Sequence, residues 1–542
     1  MTLHRRNRHK MNLDHTIRIN TAEGIRELHG NEELNEILHL RIDLPEGKIL
    51  LAKAEISLSC SQEDRIFMNG FQSWSYCPEY RPTDRIRGLK HLPKLLVRVL
   101  GLDRYGDHYF LPYPDTPGLT HGVSYCYVRR GDHYRLLASL DERPGYTLFF
   151  YDAVLGRMTI RRDCEGIRCK GEYPVFDLYY AEGSEDEVFD GWFKAMGIRP
   201  RTQEKIVGYT SWYNRYQKIS EQTIRSDLLG CVQVLHRGDL FQIDDGWEPF
   251  VGDWLETDKK KFPHGLRPLT EEIHRCGLKA GLWLAPFAAQ HGSGLFRDHP
   301  DWFYQHDGKP WYCGLNWGGF YALDFDHPQV RDYLKETFHK VFDEWGFDLV
   351  KLDFLYAAAP LGSDTETRAG RMIRAMEFLR ELCSDKLILG CGVPLMPAFG
   401  LVDYCRIGCD VGLDWDGSWL MQQTIRERVS TKHSIGNTIF RRQLSGRAWM
   451  NDPDVFILRE ENTRLTKEEK RALATVNSLF GGVLFCSDDM SSYQPDVRAF
   501  YEEMLQNRQA ADIHVETGDG IRISYVVNEE TKVLEIPEEK CR

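Results

Sequence analysis

The sequence predicts a multidomain α/β plus β protein: an N-terminal β-sandwich, a central (β/α)8 (TIM) barrel and a short C-terminal β-containing segment. Three observations predict it. At 542 residues the chain is too long for one ordinary core. Its first third is a series of short alternating or apolar runs broken by Gly, Asp and Pro. From Lys205 onward, apolar strand-like runs alternate with capped helical stretches across a span near the usual length of such a barrel.

The elements follow in order. Residues 1–11 open with "MTLHRRNRHK", a basic run expected to be a solvated, disordered tail, with Met11 as an alternative start. Residues 12–180 carry "KAEISLSC", "RLLASLD", "YTLFFYDAVLG", "MTIRRDC" and "FDLYYAEG", which read as strands of the sandwich. Residues 181–204 read as a helical linker, because "SEDEVFDGWFKAMG" has a Ser cap and an acidic first turn. In residues 205–490 the predicted strands are "IVGYTSW", "DLFQIDDGW", "LKAGLWLAPF", "FDLVKLDF", "KLILGCG", "VDYCRIG", "RAWMNDPDV" and "GGVLFCSDD". Helices such as "PLTEEIHRCG", closed by Gly277, lie between them. A doubly wound open sheet is the rival arrangement, but it predicts a phosphate-binding glycine loop, and the sequence has none. Residues 491–542 hold one helix, "PDVRAFYEEMLQNRQ", and strand-like fragments such as "GIRISYVV".

Composition narrows the function. A formal charge of −12 argues against nucleic acid as a partner. The chain lacks the apolar stretch of a signal peptide and any run long enough to span a membrane, so a cytoplasmic protein with no membrane partner is expected. The 14 cysteines are scattered without a C-x-x-C pair, and Cys231, Cys391 and Cys486 sit in apolar runs, which suits reduced core thiols.

Chemistry in a (β/α)8 barrel sits at the C-terminal ends of its strands. Acids fall there: Asp244 and Asp245, Asp353, Asp410, and Asp452 and Asp454. Lys351 and Asp353 are two positions apart, so they share one strand face while Val350, Leu352 and Phe354 take the other. Capping of the next helix is the ordinary role of a strand-end Asp. It explains neither the adjacent Asp244–Asp245 pair nor a lysine facing the barrel interior. Clustered carboxylates also suit a hard cation, but none of His236, His264, His274 and His291 lies in a strand-end motif to complete a metal site, and no metal is expected. Glycoside hydrolysis uses the most residues. It needs two carboxyl groups of divergent pKa, and aromatic walls are available in Trp212, Trp247, Trp254, Trp283 and Trp311.

The motifs "FQIDDGW", "GLWLAPF", "YALDFDHPQVRDYL", "VKLDFLYAAAP", "LILGCGVPLMPAFGLVDYCRIGCDV", "WMNDPDVFILREENTRLT" and the N-terminal "NGFQSW" resemble glycoside hydrolase family 36, in particular its compact microbial α-galactosidases. A more distant likeness is to family 27. The resemblance implies Asp353 as nucleophile and Asp410 as general acid/base of a retaining, exo-acting α-galactosidase. Its substrates would be small α-galactosides such as oligosaccharides, and its double displacement would need no cofactor. It further implies Asp244, Asp245 and Lys351 as ligands of sugar hydroxyls, with Arg406 and Cys391 near the 2-hydroxyl. Trp283 would be a stacking wall, Trp74 would reach over the barrel mouth and Trp212 would border the site. Asp452 and Asp454 would orient the lysine and the arginine. The stretch "CGVPLMPAFG" stands where longer members carry a Cys-Ser-Gly-Gly run. α-N-Acetylgalactosaminidase and α-galactosyl transfer therefore stay open as alternatives, with a non-catalytic sugar-binding protein ranked below both.

Overall fold

The computed structural model describes residues 11–541. The basic run of residues 1–10 lies outside the described residues, and Met11 already opens a strand, Met11–Thr21. That strand buries Leu13, His15, Ile17 and Ile19, every second residue, as a half-covered sheet requires. Among the described residues eleven antiparallel strands join into one N-terminal sheet. Its centre is the long strand Ile37–Ser57, which pairs with Met11–Thr21, Arg157–Arg162 and Arg168–Gly183. This region has its own apolar core, built on Leu13, Ile17, Met68, Phe149, Ile160 and Phe176.

The helix Glu185–Met196 follows, with the capping box of Ser184 and Glu187 and a left-handed Gly197 at its end. It packs on the sheet through Val188, Phe189, Trp192 and Phe193, and the Trp192 indole donates to the Ser139 carbonyl at 2.8 Å. The helix is thus part of the N-terminal body as well as a connection.

Among the described residues a second sheet has nine parallel strands: β1 (Ile206–Thr210), β2 (Leu240–Ile243), β3 (Lys279–Leu284), β4 (Leu349–Leu352), β5 (Leu387–Gly390), β6 (Tyr404–Arg406), β7 (Met450–Asp452), β8 (Val455–Phe456) and β9 (Val483–Cys486). The pairing order runs β7-β6-β5-β4-β3-β2-β1-β9-β8. The two ends of that order, β7 and β8, are separated in the chain only by Pro453 and Asp454, so the sheet curls round until its ends meet. Pro453 cannot donate to a ladder, and Asp454 has φ of 75°, which accounts for the break. The C-terminal residues form the helix Pro495–Asn507 and a three-stranded antiparallel sheet, Ala511–Thr517, Gly520–Val527 and Glu530–Pro537.

The N-terminal body meets the curled sheet through "NGFQSW", and one side chain holds that seam. Arg441, fully buried, follows the helix Thr431–Phe440. Its guanidinium donates to the carbonyls of Ser73 (2.7 Å) and Ile407 (2.8 Å) and to Asn69 Oδ1 (3.1 Å). Further contacts reach the Gln72 carbonyl and the Cys77 sulfur. Arg441→Met keeps the length but orphans these buried acceptors, each costing about 1–3 kcal/mol. We expect it to lower the thermal midpoint by several degrees, measured by circular dichroism; an unchanged midpoint would show that the seam is held elsewhere.

Candidate active site

The strand that carries Lys351 ends one residue later, at Leu352. Strict alternation stops there, because Phe354 takes a left-handed conformation with φ of 53°. Phe354 was expected on the face opposite Asp353. It instead lines the same cleft, and its amide donates to Asp353 Oδ1 at 2.9 Å. The other oxygen, Oδ2, accepts from the Trp283 indole of β3 at 3.0 Å, and the Asp353 amide donates to the Leu284 carbonyl. Both oxygens of this carboxylate are therefore aimed by neighbours fixed in the curled sheet.

Lys351 lies 3.0 Å from Asp244 Oδ2 and 4.0 Å from Asp353 Oδ2. Burial alone would favour the neutral amine, but the carboxylates of Asp244 and Asp353 outweigh it and hold its pKa above the usual range for a lysine. Asp244 follows β2. Its Oδ2 also accepts from Gln242, and its Oδ1 from the Asp245 amide at 2.9 Å. Asp245 Oδ2 accepts from Gln217 (2.9 Å) and from the Trp317 indole (2.8 Å). Burial pushes the Asp245 carboxyl upward against the hydrogen bonds from Glu248, Trp317 and Gln217. Asp245 is on the lining of the cleft.

Asp410 follows β6, and its Oδ1 accepts from both Arg406 terminal nitrogens, at 3.0 and 3.1 Å. Burial raises its carboxyl above the usual carboxylate range, while Arg406 pulls the other way. The side chain keeps 37% of its surface open, so water in the cleft limits that upward push. Arg406 is itself buried and pairs with Asp454 Oδ1 at 2.6 Å. Asp454 Oδ2 accepts from Tyr213 (2.5 Å) and from the Val411 amide (2.8 Å), which ties the loop after Asp410 to the same anchor. Burial pushes the Asp454 carboxyl up to about 7. Asp452 was expected to orient the lysine together with the arginine. Its nearest cation is Arg406, at 3.8 Å, whereas the ion pairs of Lys351 go to Asp244 and Asp353.

The cleft measures about 420 Å³ and brings together Asp244, Asp245, Lys351, Asp353 and Asp410 with Trp74, Trp212 and Trp283. Trp74 arrives from the N-terminal body and lies edge-on to Phe354, ring centroids 5.0 Å apart. Cys391 and Arg406 are not on its lining. Cys391 is fully buried, and its sulfur accepts from the Trp74 indole at 3.3 Å, so this thiol steadies a wall and does not face the ligand space. Burial raises its pKa well above normal and keeps it protonated. Trp247 and Trp254 are fully buried core residues, and the Trp311 ring is covered by Arg104 at 4.0 Å. None of the three is a cleft wall.

Sequence reasoning missed Trp317, Tyr105, Glu427 and Arg428, which also line the cleft. Trp317 had a legible signal. It stands in "LNWGGF", where two glycines allow a tight turn, and it adopts φ of 56° itself. The other three lie in stretches with no motif. Among the described residues no group of His, Cys, Asp or Glu is arranged to hold a metal ion.

A family model described as Melibiase matches residues 200–378. An Escherichia coli α-galactosidase is 32% identical over 154 residues, 26% of this chain and 21% of that protein. The Lactobacillus acidophilus α-galactosidase Mel36A is 34% identical over 122 residues, 21% of this chain and 16% of that protein. These alignments span about a fifth of the length of the curated relatives. Over the whole fold, the Thermus thermophilus α-galactosidase TtGalA, solved with p-nitrophenyl α-D-galactopyranoside, superposes with a TM-score of 0.74 at 26% identity. That match covers 97% of this chain and 100% of the other. The chain is thus similar to the melibiase family over residues 200–378 and to family-36 α-galactosidases in fold. A family-36 α-galactosidase of Geobacillus stearothermophilus, AgaA, shares the fold at 14% identity, with a TM-score of 0.59 over 95% of this chain and 72% of its own. The family match ends before Cys391, Arg406 and Asp410 in the chain, whereas the TtGalA superposition spans them.

Proposed function

We propose that this chain is a family-36 enzyme that hydrolyses terminal α-linked galactose from α-galactosides by retaining double displacement, on a (β/α)8 barrel whose seventh strand is broken at Pro453. The observation that carries the reading is the pair of carboxyl groups in one cleft, held by different neighbours. Asp353 has both oxygens aimed by hydrogen-bond donors and a lysine at 4.0 Å, which suits an ionised nucleophile. Asp410 is raised by burial and about a third open, which suits a carboxyl that gives and takes a proton.

In this mechanism Asp353 attacks the anomeric carbon while Asp410 protonates the departing glycosidic oxygen. Asp410 then takes a proton from water, which attacks the same carbon and frees Asp353. Asp244, Asp245 and Lys351, which line the cleft, would bind hydroxyls of the galactose ring. A site built around a given hydroxyl rejects a sugar that cannot supply it by up to about 10⁴-fold.

The test compares p-nitrophenyl α-D-galactoside, α-N-acetylgalactosaminide and β-L-arabinoside, with proton NMR of the first-formed sugar. We expect the galactoside to be cleaved fastest and to yield α-galactose first. A β-anomer first would refute retention, and a faster acetamido sugar would shift the assignment to an N-acetylgalactosaminidase.

A further inference from the structure

Beside its carboxylates and Lys351, the cleft has an apolar wall lined by Leu100, Leu102, Leu315, Met421, Ile425 and Val429. These come from three segments of the chain, around residues 100, 315 and 425. The helix Lys94–Leu100 buries none of its residues, nor does the helix Trp419–Gln422. In these two helices Leu95 is 75% exposed, and Trp419 and Leu420 are each 70% exposed. Exposed apolar side chains gathered at one rim mark a place where another apolar group is received.

Several polar groups of this wall are already engaged within the protein, while Glu427 Oε2 and Arg428 Nε have no hydrogen-bond partner but are buried from solvent. The Tyr105 hydroxyl donates to Asn316 Oδ1 and accepts from the Leu315 amide. Thr424 donates to the Met421 carbonyl at 2.6 Å, and Glu427 accepts from Ser75 at 2.7 Å. Arg428 contacts Asp416 and His433. A second sugar placed here would bring several hydroxyls to a wall with few free partners, and desolvating them unpaired is costly. An apolar group would be buried at a gain proportional to its area.

We infer that the leaving-group side of the cleft is an apolar subsite, and that alkyl or aryl α-galactosides are preferred over galactosides whose aglycone is a second sugar. The inference rests on the hydrolase reading above and narrows the oligosaccharide substrates expected from the sequence. The rim is continuous with the cavity that holds Asp353 and Asp410, so the group attached to the scissile oxygen is the occupant the geometry supplies.

Octyl and methyl α-D-galactoside share an alkanol leaving group and differ only in chain length, so their ratio isolates the subsite. With octyl galactoside below its micelle concentration, we expect its kcat/KM to exceed that of methyl galactoside, and that of melibiose, at least tenfold. In Met421→Ser/Val429→Ser the octyl-to-methyl ratio should fall to near one. A ratio near one in the unaltered protein, a ratio the double variant does not move, or melibiose as the better substrate would each overturn the subsite while leaving the hydrolase reading intact. If the double variant dissociates a dimer without changing the ratio, the rim is a self-association face and the inference fails. Hydrolysis of none of these galactosides would overturn the underlying reading too.

Discussion

Asp353→Gly should lower turnover of p-nitrophenyl α-D-galactoside by on the order of 10⁴-fold or more, the scale of losing a nucleophile from a covalent mechanism. The side chain is held at two points, the Trp283 indole and the Phe354 amide, and its backbone amide donates to the Leu284 carbonyl. Removing the carboxylate leaves those donors in place around a small vacated space. Azide is small and anionic, and Lys351 favours an anion there. We therefore expect azide to restore part of the rate and to yield β-galactosyl azide, formed by a single inverting displacement. Retained activity in the glycine variant would remove Asp353 from the nucleophile role. Loss without azide rescue, together with a lowered thermal midpoint, would point to misfolding, and Asp353→Asn then separates charge from volume.

Asp410→Asn should discriminate between leaving groups. A sugar alkoxide needs the proton that Asp410 supplies, so kcat/KM for melibiose should fall about 10²–10⁴-fold, the usual worth of a general acid. p-Nitrophenolate leaves without help, so its first step should change little, and the slow step becomes attack by unassisted water. Azide, which needs no base, should then raise kcat. The fold should survive, because Arg406 keeps its 2.6 Å partner Asp454 when the Asp410 charge is gone. The pH profile adds an independent reading. Because burial raises the Asp410 carboxyl, it keeps its proton to higher pH than a free aspartate, and activity falls as pH rises through its pKa. That alkaline limb should be present in the unaltered protein and absent from Asp410→Asn. Equal losses on both substrates would refute the assignment.

Much of the architecture was legible because it is written in local period and local punctuation. Alternation in "MTIRRDC", the cap and acidic turn at Ser184, and Gly277 after the helix Arg267–Arg275 each act over a few residues. The strand-end acids were legible for the same reason, since a carboxylate after an apolar run needs no distant partner to be seen. Phe354 was misplaced because alternation holds only while the strand lasts, and a left-handed residue ends it. Trp247, Trp254 and Trp311 show the reverse limit, since spacing cannot tell a core tryptophan from a wall.

By itself, then, the sequence determined the series of strands and helices, the two carboxylates and the charged pair of Lys351 and Asp353. Tertiary structure alone decided their settings. Trp283 became the donor that aims Asp353, Cys391 stands behind Trp74, and Asp454 anchors Arg406. It also drew residues 100–105 and 421–429 into one apolar wall. The reason is physical: caps and periods are short-range and readable along the chain, whereas these contacts join segments up to several hundred residues apart. Their distances exist only once two cores have packed and brought the backbones together.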